Sequence, residues 1–362
     1  KTTSEVDVTS SSSFSLIKAN PFGLTTDPQE IKNTTYTSAT TIINQTIYSI
    51  ASKIFSYETV GDENLLDSNI QLWLQYQRLN AYGIVPFYNK FQVRSGAANA
   101  ILGYFTKNGT NGQPVSTLLG SNGLNYMRTA LSSATADKLP LALNVSAIDF
   151  NQDSLVSNYG EALNAARALS YPVFTPVDSN DALEIQHLAI LNHFYSFFSG
   201  KPSVYLFDGP EFVKTFKKFE NVLSANDIFQ LYQGLLDSAA GEVSIDAAFN
   251  ALNKVTRKNY SQFEYVGSEN PKTVFVVYGT HQSTQLSQIV SKLDVGLVKV
   301  RVPVPFNQEK LVQVIPQSTK KLVVLSSNDG LMADVTAGLF LGGRYHSLSL
   351  DEFNYPLDFK WT

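Results

Sequence analysis

The sequence predicts an α/β protein built of two units, each with a mainly parallel sheet flanked by helices. First, short apolar strands alternate with helices from about residue 84 onward. Second, the spacing of strand, helix and strand suits right-handed crossovers, which place consecutive strands parallel in one sheet. Third, the chain has 362 residues, of which 43% are apolar, and this is enough for two or three domains with hydrophobic cores.

The first unit is predicted from helices and buried strands that follow one another between residues 40 and 207. Asp181 can cap the longest of these helices, and Glu184, three positions later, can return a bond to the cap residue. Gly200 ends that helix, with Pro202 just beyond it. We expect helices over 40–57, 65–79, 155–170 and 181–199, and strands over 139–145, 171–175 and 203–207.

The second unit is predicted to begin near residue 266, after a more polar helical segment over 211–265 that connects the two units. Its expected strands are 274–278, 296–302 and 321–326, and its expected helices are 283–293 and 308–315. The first 14 residues of the chain are rich in Ser and Thr, so we expect a loose arm there. We therefore divide the chain into an amino-terminal arm (1–39), a first domain (40–260) and a second domain (261–362).

Composition and charge exclude several classes of function. The formal net charge is −4 and the basic residues do not cluster, so we expect no nucleic-acid binding, which requires grouped Lys and Arg. The absence of cysteine excludes disulfides, thiolate metal sites and iron–sulfur ligation. No apolar run approaches the roughly 20 residues that span a bilayer. We expect a soluble protein without a membrane partner, in a reducing, cytoplasmic compartment.

No complete catalytic or cofactor-binding motif is present. The sequence lacks a Gly-x-Gly-x-x-Gly fingerprint, a P-loop, a Gly-x-Ser-x-Gly elbow and a His-Glu-x-x-His pair. His187 and His193 lie six positions apart on one predicted helix, so they face different ways. We expect both to be packing or surface residues, and we predict no catalytic residue and no metal site.

Three polar segments could meet a ligand, but each has a simpler explanation. Gly279 and Thr280 follow a predicted strand at the edge where ligands bind in open sheets, yet one glycine is what a tight turn requires. Residues 120–123 precede a helix expected over 124–133 and could aim backbone N–H groups at an anion. The run 328–330 lacks the other ligands of a calcium loop, so a plain turn is expected.

An ordered set of segments resembles the first two domains of pyruvate:ferredoxin oxidoreductases, from about residue 85 to residue 326. The resemblance implies that both units have a Rossmann-like fold of the kind found in thiamine enzymes. The segments are FQVRSGAA (91–98), LFDG (206–209), FEYVG (263–267), TVFVVYG (273–279) and VKVRVPVPF (298–306).

A narrower likeness covers nearly the whole chain. The runs NPFG (20–23), RSGA (94–97), RVPVPF (301–306) and DFKW (358–361) resemble the amino-terminal region of fungal assimilatory sulfite reductase flavoprotein subunits. That family implies an NADPH-dependent complex that reduces sulfite to sulfide. It also implies that FAD and NADPH bind a module that follows this region in the sequence, and that a hemoprotein subunit is the partner. We therefore expect no cofactor in this chain itself.

The departures from the oxidoreductase family concern the thiamine diphosphate pocket. By the resemblance, Arg94 stands where active members have the glutamate that bonds the aminopyrimidine ring, and arginine offers no acceptor and does not deprotonate. Ile148 stands where they have the arginine that binds the carboxylate of the 2-oxoacid, which a hydrocarbon side chain cannot pair. We treat Arg94, Ser95, Gly96, Asn122 and Ile148 as the candidate residues of a vestigial pocket.

Three hypotheses stay open. The chain is a non-catalytic structural or assembly region of the flavoprotein subunit, or it is a thiamine-diphosphate-binding fragment of a 2-oxoacid oxidoreductase. In the third hypothesis, the old cleft has been repurposed for a small anion or a partner segment, with Arg94, Ser95 and residues 120–123 converging on it. A structural ion pair of Arg94 is the simpler alternative to that third hypothesis. We favour the non-catalytic assembly region.

Overall fold

The computed structural model describes residues 27–354, apart from 60–64, 110–113, 134–137, 152–153, 240, 242 and 327–328. The loose arm predicted for residues 1–14 lies outside the described residues, as do the runs 20–23 and 358–361. Mostly parallel sheets flanked by helices confirm the predicted fold class. The boundaries at 39/40 and 260/261 stay predictions.

The strands of the described residues form three sheets. The largest has seven strands in the order β3-β2-β4-β5-β8-β7, all parallel, with β6 turning back antiparallel on β5. The second has the order β10-β12-β11-β13-β14, in which only β10 is antiparallel, and β1 pairs with β9 in a small ribbon. The strands are β1 Asn33–Ser38, β2 Lys53–Tyr57, β3 Phe87–Phe91, β4 Val115–Gly120, β5 Leu141–Asn151, β6 Ser154–Ser157, β7 Val173–Phe174, β8 Ser203–Asp208, β9 Phe216–Val222, β10 Phe263–Gly267, β11 Thr273–Val277, β12 Gly296–Val300, β13 Lys321–Ser326 and β14 Ser349–Asn354.

The helices cover both faces of the sheets. Where two parallel strands follow one another in the chain, a helix lies between them, as right-handed crossovers require. No described helix is long and apolar enough to cross a membrane. The α-helices are α1 Ala39–Ile50, α2 Ser68–Gln75, α3 Asn99–Asn108, α4 Ser121–Leu131, α5 Tyr159–Leu169, α6 Ala182–Ser199, α7 Pro210–Lys214, α8 Ala225–Ser238, α9 Ile245–Thr256, α10 Thr280–Val290, α11 Gln308–Val314 and α12 Leu331–Leu341.

Three predicted segments differ from the structure. Residues 53–57, expected to be helical, form β2, because this strand is buried between β3 and β4 and its side chains enter cores on both faces of the sheet. Residues 155–157, also expected to be helical, lie in β6, and α5 begins only at Tyr159. The segment 211–265 is not simply a helical connector, since it contains β9 and the start of β10.

Helix α6 is buried over most of its surface and crosses the main sheet. Asp181 caps it as predicted, by accepting bonds from the backbone N–H groups of Leu183 and Glu184, and Gly200 ends it in the left-handed conformation. The expected return bond from Glu184 is wrong: its carboxylate turns away and bonds Arg301 of the segment after β12. An ion pair with a residue distant in the chain, Arg301, therefore takes the place of the expected local capping box.

The two larger sheets share one hydrophobic core. Helix α5 contributes Leu163 and Ala166 to a cluster that also contains Val276 of β11 and Val298 of β12. A backbone bond from Val173 in β7 to the carbonyl of Val304, 2.8 Å long, joins the main sheet to the segment that follows β12. The second core, on the other face of the main sheet, is built around α1, α6 and α8.

Candidate functional site

The topology of the main sheet places a switch point between β2 and β4. The chain leaves β2 for β3 on one side and then crosses to β4 on the other, so the connections at the carboxyl ends of β2 and β4 diverge. Ligands of open α/β sheets bind in the crevice at such a point. All five pocket candidates lie on the segments around it: Arg94, Ser95 and Gly96 after β3, Asn122 after β4, and Ile148 in β5.

Residues 94–96 form a turn that leads into α3. The hydroxyl of Tyr57, at the end of β2, donates to the carbonyl of Ala97 over 3.0 Å and so holds this turn over the sheet. Gly96 has φ of +80°, a left-handed conformation that favours glycine. Arg94 and Ser95 are exposed, and Arg94 makes no ion pair with a carboxylate of the described residues. The structural ion pair considered for Arg94 is therefore not found in this part of the chain.

Asn122 and Ile148 meet at Gly120. The Oδ1 atom of Asn122 and the Cγ1 atom of Ile148 each lie 3.4 Å from the position that a Cβ of Gly120 would take. Residues 120–123 were expected to precede a helix over 124–133. In the structure, residues 121–123 already form the first turn of α4. The Ser121 hydroxyl donates back to the carbonyl of Asn158, which ties α4 to the start of α5.

Ile148 closes the space between the ends of β4, β5 and β8. Its side chain is 2% exposed and packs against Gly120 on one side and Gly209 on the other. A Cβ at Gly209 has no room, because Ile148 and the carbonyl of Ala147 already occupy its place. Hydrocarbon thus stands where the family resemblance places a carboxylate-binding arginine.

The second sheet has its own switch point between β11 and β13, and helix α5 of the first unit covers it. Arg167 forms an ion pair with Asp334, 2.8 Å long, and donates to the backbone carbonyl of Asp329. Tyr278, just after β11, donates its hydroxyl to the carboxylate of Asp329. The crevice of one sheet is therefore filled by the other unit.

Asp208, at the carboxyl end of β8, is a buried acid that the sequence patterns did not single out. It accepts the hydroxyl of Tyr159 over 3.2 Å and the N–H of Glu211 over 3.1 Å. Burial raises the pKa of Asp208 to about 6; neighbouring Glu211 adds to the rise and His281 opposes it. The signal available in the sequence was an acid directly after the strand predicted over 203–207 and directly before a Gly-Pro pair.

The two helical histidines are packing residues, as expected. The Nε2 atom of His193 shares a 2.9 Å hydrogen bond with the Ser116 hydroxyl, and its Nδ1 atom bonds the carbonyl of Ala189. The Nδ1 atom of His187 bonds the hydroxyl of Tyr260 over 2.9 Å. Burial lowers the pKa of each imidazole to about 4, so both are neutral near pH 7. Across the described residues, no group of His, Asp and Glu could hold a metal ion.

Two clefts of the described surface lie away from the switch points. One, of about 520 Å³, lies between the start of the described chain and the loop after α2; the other, of about 420 Å³, lies beside α10. Neither is lined by any of the five pocket candidates. The candidate site is thus a packed edge of the sheet, with an exposed arginine turn beside it.

No family model matches the sequence. The sulfite reductase [NADPH] flavoprotein component of Saccharomyces cerevisiae is 31% identical over 95% of this chain and 33% of the relative. The probable counterpart of Schizosaccharomyces pombe is 25% identical over 87% of this chain and 32% of the relative. The chain resembles the amino-terminal third of sulfite reductase flavoprotein components. It thus spans about a third of the length of these relatives.

The wider likeness extends to 2-oxoacid oxidoreductases. A putative pyruvate-flavodoxin oxidoreductase of Synechocystis is 24% identical over 78% of this chain and 27% of the relative. A solved 2-oxoglutarate:ferredoxin oxidoreductase of Magnetococcus marinus superposes with a TM-score of 0.60 at 12% identity, covering 89% of this chain and 62% of that one. This structural likeness shows the fold alone, and it confirms the thiamine-enzyme-like fold predicted from the sequence.

Proposed function

We propose that this chain is a non-catalytic structural and assembly region of an NADPH-dependent sulfite reductase flavoprotein subunit. The similarity to the yeast flavoprotein component over 95% of the chain supports the kind of subunit. The observation that carries the non-catalytic role is Ile148, which is buried between Gly120 and Gly209 at the switch point. A packed hydrocarbon side chain there leaves no charged group to bind a carboxylate substrate.

The described residues do not fit thiamine diphosphate. Activation of this cofactor requires a carboxylate that exchanges a proton with its ring, and Arg94 has no acceptor atom to offer. Its positive charge would also oppose a protonated ring. No catalytic step is therefore assigned to this edge of the sheet.

In this proposal, the cofactor chemistry belongs to other parts of the complex. FAD and NADPH would bind a module that follows this region in the flavoprotein, and a hemoprotein subunit would be the partner. The reaction of the parent complex, reduction of sulfite to hydrogen sulfide, would take place in the cytoplasm. The region described here would hold these parts together.

Deleting the region from the full-length subunit tests this role. We expect the shortened subunit to keep its flavin absorption and its NADPH-dependent reduction of ferricyanide, but to lose co-purification with the hemoprotein subunit and sulfite reduction. The intact subunit, prepared in parallel, is the control. Loss of ferricyanide reduction with the flavin still bound, or unchanged assembly after deletion, contradicts the proposal.

Calorimetric titration with thiamine diphosphate and Mg²⁺ separates the proposal from the oxidoreductase alternative. We expect no heat of binding to the purified chain. Binding at micromolar concentration would show that Arg94 and Ile148 do not exclude the cofactor, and would favour a 2-oxoacid oxidoreductase fragment.

A second candidate role, binding of an acidic partner segment, is favoured by the exposure of Arg94. Its guanidinium is free of carboxylates within the described chain, and it stands on a turn that Tyr57 anchors by a hydrogen bond to Ala97. Arg94→Ala in the full-length subunit should weaken hemoprotein binding several-fold if this turn meets the partner. Arg128→Ala, on the exposed side of α4, is the matched control.

A further inference from the structure

A buried carboxylate lies where the two sheets meet. Asp208 ends β8 of the main sheet and is 1% exposed. Its neighbours in β5, Ala147 and Ile148, are apolar and offer it no charge. The remaining contacts of the carboxylate come from helices α5 and α7, and His281 of α10 lies nearby.

Tyr159 relays the contact from Asp208 to the second sheet. Its hydroxyl donates to Asp208 over 3.2 Å and accepts the backbone N–H of Thr280 over 3.3 Å. Thr280 begins α10, and its own hydroxyl donates to the carbonyl of Pro176 over 2.8 Å. The Tyr159 ring also packs edge-on against Tyr278, with centroids 5.4 Å apart. A single phenol thus joins β8 to the first turn of α10.

The charged groups around Asp208 belong to three elements. Glu211 of α7 donates its backbone N–H to Asp208, and its carboxylate lies 3.4 Å from the ammonium of Lys217 in β9. His281 of α10 places Nδ1 3.8 Å from Glu211. Burial raises the pKa of Asp208 to about 6, well above the ordinary range of an aspartate. The closed junction therefore favours the protonated acid.

We propose that the proton on Asp208 is a latch: its presence tightens the contact between the two sheets, and its loss loosens that contact. The reason is linkage. When α10 moves away from the junction, water reaches Asp208 and the carboxyl group ionises at its ordinary pKa near 4. Separation of α10 from the junction is then coupled to proton release. The free energy of this separation therefore falls as the pH rises from about 4 to about 6, and it changes no further above that range.

Hydrogen exchange measured on the full chain tests the latch. The Thr280 amide reports the junction because its acceptor is Tyr159 of the other unit. After correction for the intrinsic rate, we expect its protection factor to fall roughly tenfold between about pH 5 and about pH 7.5. The Ser283 amide is the internal control, since it bonds the carbonyl of Gly279 within its own helix.

Asp208→Asn removes the titrating group. Its amide oxygen can still accept the N–H of Glu211, and its amide nitrogen can donate to the Tyr159 hydroxyl, so the protection factor of Thr280 should become independent of pH. Glu220→Gln, on the exposed face of β9, should leave the wild-type profile unchanged. The carboxyl carbon shift of Asp208, followed by NMR in the wild-type chain, should titrate near pH 6, and this result does not depend on any variant folding.

A midpoint near pH 4, or a pH-dependent fall that persists in Asp208→Asn, overturns the latch. The same holds if the wild-type protection factor is flat across the range. Because these measurements need neither a partner subunit nor a cofactor, their outcome is separate from the assembly role proposed above.

Discussion

At the residue scale, Lys53 holds its ammonium group against aromatic rings instead of a carboxylate. Its Nζ atom lies 4.9 Å from the ring centre of Phe55 and 4.7 Å from that of Tyr104, and Phe87 covers it from the edge strand. Asn89 accepts one hydrogen bond over 3.0 Å. Burial nevertheless lowers the pKa of Lys53 to about 8. The rings and the single bond thus replace only part of the lost hydration.

Lys53→Met should stabilise the chain by about 1 kcal/mol at pH 7. The folded pKa lies below the unfolded value of 10.5, so the cost of the charged lysine is fully present below about pH 8 and disappears as the pH rises toward 10.5. Urea unfolding at both ends of that range checks this expectation. The advantage of the variant should shrink at high pH, and exposed Lys201→Met should change nothing. A constant advantage at every pH would contradict the role of the charge.

Ile148 provides a second test at the residue scale. Ile148→Arg restores the residue type that the oxidoreductase family carries, but it places a charge in a space closed by Gly120 and Gly209. We expect a loss of about 3 kcal/mol or more in the free energy of unfolding, because the larger side chain overpacks this closed space and its charge would lose its hydration there. Ile148→Val should cost only about 1 kcal/mol. If the arginine variant is as stable as wild type and binds a 2-oxoacid, the pocket is not closed.

Residue roles were predictable where the determinant is local. The Asp181 cap and the Gly200 stop follow from residues within one turn of the helix end, and both are confirmed. The partner of Glu184 was not predictable in this way, because Arg301 lies 117 positions away in the chain. Asp208 was missed for the same reason: its contacts with Tyr159 and α10 exist only once the two units meet.

At the element scale, Arg301 connects the segment after β12 to α6 and β10. Its Nε atom donates to Glu184 over 2.8 Å, and a second nitrogen donates to Glu264. Glu184 also accepts the backbone N–H of Val177 over 2.9 Å, so one carboxylate joins the start of α6 to the segments that follow β7 and β12. Burial would lower the pKa of Arg301, but Glu184 and Glu264 outweigh this and raise it.

Arg301→Met should lower the free energy of unfolding by about 3 to 5 kcal/mol, because it leaves Glu184 buried without its cation. Adding Glu184→Gln to this variant should recover part of the loss, since the remaining side chain is neutral and still accepts from Val177. Denaturant unfolding of the two single variants and the double variant measures the coupling. Losses that simply add would show that the two side chains act independently.

The strand assignments show the limit of periodicity at this scale. Three of the five described strands of the second sheet, β11, β12 and β13, were predicted to within two residues, because each is a short apolar run bounded by turns. Strand β10 fell in the segment expected to be a helical connector, and β14 was not predicted. Residues 53–57 were assigned to a helix, since one apolar pattern runs on from α1 without a glycine or proline. Residues 53–57 form a strand because they pair with β3 and β4, and these partners lie far along the chain.

At the scale of the whole molecule, the two sheets are not independent. One core runs from α4 and α5 to β11 and β12, and Val173 of the first unit bonds the backbone of Val304 in the second. The predicted boundary at 260/261 marks a change of sheet along the chain, but the hydrophobic core continues across it. Separating the two units would expose apolar side chains on both.

We therefore expect the intact chain to unfold in one transition, with equal calorimetric and van't Hoff enthalpies. A truncated chain that ends at residue 260 lacks β11 and β12, so apolar side chains of α5 lose their packing partners. We expect this truncated chain to bind a dye that reports exposed apolar surface and to unfold at a lower temperature. Scanning calorimetry of the intact and truncated chains checks both expectations. Two separate transitions in the intact chain, or a truncated chain of undiminished stability, would mean that the shared core contributes little and that each sheet folds by itself.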